Sequence, residues 1–148
     1  MGICQITEFQ YLRVNYKSIV DSTPSFDHLR CNKSFHGHER HDHALVKAEH
    51  GGHYFVRLLH LFKVTVGTQL HALAYVESYG RPPGSMRRKD KDLGLYRFQL
   101  KATQYEIISL DSIVRGALLV SDPENPEHCF VVDTVDSDMF LRMKNLTF

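Results

Sequence analysis

The stretch ALVKAEHGGHYFVRLLHLFKVTV, Ala44 to Val66, decides the fold. Two apolar runs flank Gly51-Gly52, and glycine accepts the positive φ that a tight hairpin turn demands. The second run supports two readings. Arg57, His60 and Lys63 recur every third residue, as they would on the wet face of a helix. Its Val and Phe content, and its place directly after the double glycine, favour a strand.

Downstream, HALAYVESY (His71 to Tyr79), YRFQL (Tyr96 to Leu100) and YEIISL (Tyr105 to Leu110) read as three further strands. SIVRGALLV (Ser112 to Val120) reads as a short turn followed by a strand from Ala117 to Val120. DPENPEH (Asp122 to His128) is a turn-rich loop, because its two prolines fix φ and remove backbone donors. CFVVDTV (Cys129 to Val135) is the last strand, and Asp136-Ser137-Asp138 offers N-cap side chains to a short closing helix around MFLRMK.

Upstream, ITEFQYLRVNYKSIV (Ile6 to Val20) places Phe9, Leu12, Tyr16, Ile19 and Val20 three and four residues apart, with Thr7 as N-cap. That spacing predicts an amphipathic helix ending between Asp21 and Pro24. Ser25 to His43 shows no periodicity and reads as an irregular crossing segment anchored by Phe26, Leu29 and Phe35. The expected class is α+β: a short N-terminal helix packed on a small antiparallel, partly closed sheet or barrel, since closure protects strand edges. Residues 1–43 form the helical arm and crossing segment, and 44–148 the β-rich portion of one compact unit.

A chain of 148 residues buries roughly 70% of its unfolded surface and folds without covalent staples. Cys4, Cys31 and Cys129 are odd in number, widely spaced and without a CxxC pair, which fits a reducing, intracellular compartment. The start MGICQITEF lacks a charged region followed by an apolar run, and no stretch is long and apolar enough for a membrane helix. Ile6 stands where the myristoylation pattern wants Ser or Thr. With 18 Lys and Arg against 17 Asp and Glu, the chain as a whole is not a basic nucleic-acid binder, so any electrostatic contact must be local.

Four constellations bear on chemistry. Cys31 with His36, His38, His41 and His43 is a soft, imidazole-rich set that zinc accepts, although it lacks the two close pairs of a structural site. Asp133, Asp136 and Asp138 are acids at the end of an apolar strand, where two-metal nucleases place carboxylates and where a helix N-terminus also places them. The loop RPPGSMRRKDKD carries Arg81, Arg87, Arg88, Lys89 and Lys91 against Asp90 and Asp92, a surface for phosphates or an acidic partner. The rings of Tyr54, Tyr75, Tyr79, Tyr96, Phe98 and Tyr105 fit a strand core or, through Tyr75, Tyr79 and Tyr96, an aromatic cage for a methylated lysine. Nucleophile elbow, P-loop and dinucleotide fingerprints are all missing from the sequence.

The runs ITEFQYLRVNYKSIVDSTPSFDHLRC, FHGH (Phe35 to His38), HYFVRLLHLFKVTVG, KDKDLGLYRF, SIVRGALLV and FVVDTVDSDMFLRM resemble the C-terminal region of uncharacterised basidiomycete fungal proteins encoded by DDE-type transposons of the Plavaka kind. The resemblance covers nearly the whole chain and implies a transposon-derived fragment without the catalytic transposase portion. More loosely, YFVRLLHLFKV, HALAYVESY and EIISLDSIVRGALLV resemble the element order of a bromo-adjacent homology (BAH) domain, a β-rich chromatin interaction fold. ALAYVESY carries Tyr75 and Tyr79 but no Trp, a departure from the aromatic pattern of that fold. Together the resemblances imply a non-catalytic module, without cofactor, that docks in the nucleus to chromatin, a histone or another protein, with weak non-specific contact to nucleic acid. The alternative is a zinc-binding or metal-dependent nucleic-acid-processing fragment using the Cys/His set or the Asp trio.

Overall fold

In the computed structural model, which describes residues 4–82, 89–90 and 92–148, the chain is mostly antiparallel sheet with one C-terminal α-helix among the described residues. In chain order the strands are β1 (Gln5–Phe9), β2 (Tyr11–Lys17), β3 (Pro24–Phe35), β4 (His38–His41), β5 (His43–Lys47), β6 (His53–Val66), β7 (Gln69–Gly80), β8 (Tyr96–Ser109), β9 (Ile113–Ala117), β10 (Leu119–Ser121) and β11 (His128–Val131). Helix α1 spans Ser137–Asn145.

The Gly51-Gly52 turn is present as expected, with φ of 90° and 77°, and joins β5 to β6. The large sheet runs β10-β11-β8-β7-β6-β5-β9. Its longest strand, β6, shares one edge between two neighbours: β5 pairs with His53 to Arg57, and β1 pairs with Leu61 to Thr65. Between them the chain turns corners into a second sheet, β2-β3-β4. Asp42 O accepts from Leu58 N on one side (3.0 Å) and Asp42 N donates to Arg30 O on the other (2.9 Å), while Cys31 N donates to Gln10 O (3.0 Å). The result is a nearly closed, barrel-like body in which few strand edges stay open.

The core lies in two layers because β5 is apolar on both faces. Ala44 and Val46 point toward the small sheet and join Val14, Leu29, Val56, Leu58, Leu61, Ala74 and Val76. Leu45 points the other way and joins Phe55, Phe98, Val131, Met139 and Met143 beneath α1. Phe148 stacks on Phe55 at 5.4 Å and 14°, so the C-terminal residues close this second layer.

Three expectations are corrected. Ile6 to Val20 forms β1 and β2, not a helix. Its residues also alternate with period two: in β2 Leu12, Val14 and Tyr16 turn inward and Tyr11, Arg13 and Asn15 outward, and pairing with β3 selects that period. Ser25 to His43 is not irregular, since β3 and β4 occupy most of it. Tyr96 to Leu100 and Tyr105 to Leu110 belong essentially to one strand, because a register shift opposite Glu77 and Tyr79 absorbs the residues between them. Residues 1–43 thus share a core with 44–148.

Candidate interaction surface

Charge inside this protein is paired. Arg115, in the apolar run of β9, is 3% exposed. Its Nη1 donates to Asp138 Oδ2 (2.9 Å) and its Nη2 to Asp136 Oδ2 (2.8 Å), while Asp27 Oδ2 lies 3.3 Å from Nε. The guanidinium also lies over the Tyr16 ring at 4.6 Å. Arg142 Nε donates to Asp138 Oδ2 (2.6 Å), and its Nη2 donates to Lys17 O (2.9 Å). Burial works against the Arg115 charge, but the hydrogen bonds to Asp136 and Asp138 outweigh it and raise its pKa. Burial likewise opposes ionised Asp136 and Asp138, and their arginine and backbone donors still hold both below the usual carboxylate range. Asp136 caps α1 by accepting from Met139 N (2.8 Å), as its place in the sequence predicts. Two of the three sequence-selected acids therefore bind small sheet, large sheet and helix together.

The third acid is elsewhere. Asp133, 1% exposed, lies in a 3₁₀ turn, and Lys89 Nζ approaches its Oδ2 to 3.1 Å.

The Cys/His set is only partly assembled. Cys31 and His41 face each other across β3 and β4, with Sγ 3.7 Å from Nδ1. Leu58 O accepts from both the Cys31 thiol (3.4 Å) and His41 Nδ1 (2.9 Å), so these groups are engaged by backbone. Burial pushes the Cys31 thiol up to about 11, which keeps it protonated and a poor nucleophile or metal ligand at neutral pH. His36 packs on Phe35 and His38 is exposed. His43 lies on β5 beside Tyr79, where burial brings its pKa down to about 4. Among the described residues no three His, Cys, Asp or Glu side chains gather at metal-binding distance.

Of the basic loop, Arg81 and Lys89 are described, while Arg87, Arg88 and Lys91 lie outside the described residues. Lys89 turns inward toward Asp133. The three tyrosines of the expected cage have separate partners. Tyr75 stacks with His60 and Tyr105, Tyr79 meets His43, and Tyr96 faces the Lys89 ammonium.

The outer face of the large sheet is covered by α1 at one end, and among the described residues no helix or strand covers the other. Across that other end runs a row of rings on three strands: His60 on β6, Tyr75 on β7 and Tyr105 on β8, with centroids 6.1 and 5.9 Å apart and both pairs stacked at 24°. Glu8 on β1 accepts from His60 Nδ1 (2.9 Å), which steadies the end of the row and lowers the Glu8 pKa. Beside it Ile107 is 60% and Tyr105 49% exposed. Strand β11 pairs with β8 only over Tyr96 to Gln99. Along Tyr105–Ser109 the strand pairs with β7 on one side, and among the described residues no strand pairs with the other. The inward Glu106 accepts from Ser78 Oγ (2.9 Å), which leaves Tyr105, Ile107 and Ser109 to solvent.

Sequence reading singled out Tyr75 and Tyr105 but missed His60 and Ile107. The signal was present in YEIIS, whose alternation puts Tyr105, Ile107 and Ser109 on one side. It also missed Arg115, a lone charge in an apolar strand, which announces a buried partner. No helix among the described residues is long and apolar enough to cross a membrane. Compared with protein-family models, curated proteins and solved structures, the chain matches none.

Proposed function

We propose that the chain is a non-catalytic interaction module that docks an extended segment of another protein along the open edge of β8. The carrying observation is the coincidence of an unpaired edge, Tyr105–Ser109, with the solvent-facing row His60, Tyr75 and Tyr105. An added strand satisfies the outward N–H and C=O groups, while the rings and Ile107 receive its side chains. Between Tyr105 and Ser109 the edge carries neither Lys nor Pro, and its one charge, Glu106, is engaged by Ser78. Engagement of Arg115, Asp136 and Asp138 in the fold, and burial of Cys31 and Cys129 as thiols with raised pKa, support a role without covalent chemistry. The loose resemblance of the sequence to a BAH domain favours a chromatin-associated protein as the source of the docked segment, and hence the nucleus as its place of action.

Peptide-display selection with the wild-type protein and Ile107→Lys as parallel baits tests this reading. Extended peptides enriched on the wild type alone, with amide shifts confined to β8 and its ring row, are the expected result. Equal enrichment on both baits, or none on either, overturns it. Nucleosomes and free DNA as further baits separate chromatin docking from simple charge attraction, since only the former responds to Ile107→Lys.

A further inference from the structure

Asp133 departs from the rule the other buried acids obey. Asp122 and Asp138 accept from arginine and backbone donors, whereas neither oxygen of the buried Asp133 carboxylate receives a hydrogen bond among the described residues. A buried carboxylate is costly unless hydrogen-bonded and paired. The compensating charge is Lys89, whose ammonium lies 3.1 Å from Oδ2 but off the hydrogen-bonding direction.

That ammonium is walled by two rings. Its Nζ is 5.3 Å from the Tyr96 centroid and 5.2 Å from that of Phe140, both inside the range of cation–π attraction. Lys144 approaches the same Phe140 ring at 4.5 Å, so this ring already faces cations. A carboxylate floor and two aromatic walls make a cage for a cation. Its present occupant is loosely tied: the Lys89 side chain is 35% exposed, and Lys89 lies outside any named strand, held by an isolated bridge to Tyr96. The acid, in contrast, is fixed in the turn before α1 and cannot follow a departing lysine to solvent.

We propose that Asp133, Tyr96 and Phe140 form a recognition site for a lysine-type ammonium group, and that Lys89 closes this site in cis. A ligand enters by displacing Lys89. The carboxylate accepts an N–H, so the site selects an ammonium that keeps at least one proton, namely unmodified, monomethylated or dimethylated lysine, over a trimethylated one. Tyr96 begins β8, whereas the open edge occupies its far end, so this site and the strand-docking reading stand or fall separately.

The test is titration of Nα-acetyl-Nε,Nε-dimethyl-lysine methylamide, with the trimethyl analogue as comparison, followed through the Tyr96 and Phe140 ring resonances. The expected result is at least tenfold tighter binding to Lys89→Ala than to wild type, with loss of that gain on adding Asp133→Asn or Phe140→Ala. Equal affinity across these proteins overturns the proposal. Lys89→Gln, which keeps the chain length, replaces Lys89→Ala if the latter does not fold. In the wild type, acetic anhydride should modify Lys89 more slowly than the exposed Lys33, and faster once the dimethyl ligand is present. Labelling of Lys89 at the Lys33 rate, unchanged by ligand, also overturns it.

Discussion

Arg115 and Asp138 meet inside the protein, Nη1 donating to Oδ2 at 2.9 Å between side chains that are 4% and 7% exposed. Asp138 also accepts from Ile19 N at 2.8 Å, so the pair joins β9, α1 and the loop after β2. Without Arg115, Asp27 and Asp136 lose their guanidinium partner and the buried Asp138 keeps only Arg142. Arg115→Met is expected to lose about 3–5 kcal/mol in urea unfolding, and a loss under about 1 kcal/mol would show that solvent reaches these acids.

His43 predicts a pH dependence. Burial first, and then the Arg57 cation opposite it in the β5–β6 pair, bring its pKa down to about 4. The unfolded imidazole titrates near its ordinary value, so between about pH 6.5 and 4 the unfolded chain alone takes up this proton. Stability from this group is complete above that window and falls as pH drops through it, by on the order of 1–3 kcal/mol. The slope of unfolding free energy against pH should flatten in His43→Gln, and an unchanged slope contradicts the assignment.

At still lower pH the carboxylates take over. Asp136 and Asp138 are held below the ordinary carboxylate range, so they contribute stability above the unfolded carboxylate pKa and lose it as pH falls through their folded values. Acid unfolding should therefore steepen below about pH 4, and the step should shrink in Arg115→Met, in which Asp136 loses its guanidinium partner and Asp138 keeps only Arg142.

Gly116 marks the close approach of β9 to the small sheet. A Cβ there would lie 2.7 Å from Leu29 Cδ2 and 3.2 Å from Asp27 Oδ2, the oxygen that accepts from Gly116 N. Leu29 is buried and has little room to turn aside. Gly116→Ala should cost about 1–3 kcal/mol through overpacking, measurable by denaturant titration, and a neutral result would mean that the two sheets separate easily.

Ile107→Lys is expected to leave stability within about 0.5 kcal/mol, because the side chain is exposed. The same change should abolish binding of peptides selected on the wild type. Calorimetric titration with one such peptide reads the effect, and retained affinity would place the docking surface elsewhere.

Local chemistry was legible in the sequence and distant pairing was not. The Gly51-Gly52 hairpin and the Asp136 cap of α1 rest on residues within a few positions of each other, and both stand where the sequence puts them. Phe9, Leu12 and Tyr16 fit a helical spacing as well as Leu12, Val14 and Tyr16 fit a strand, and only the β3 partner decides between them. Leu29 and Cys31 alternate inward along β3, but the polar and His residues around them hide that period. The partners of Arg115 lie at Asp27, Asp136 and Asp138, too far along the chain for any window to connect. The open edge depends on where β11 stops pairing with β8, a feature of topology alone.

Amide hydrogen exchange along Tyr105–Ser109 tests the docking account most directly. In the free, dilute protein the outward-facing amides of this segment should exchange rapidly, while those of Leu73 to Glu77, flanked by β6 and β8, stay protected. Saturation with a selected peptide should then slow the outward amides of Tyr105–Ser109. Uniform protection of that segment in the free protein, or exchange that the bound peptide leaves unchanged, would contradict the account.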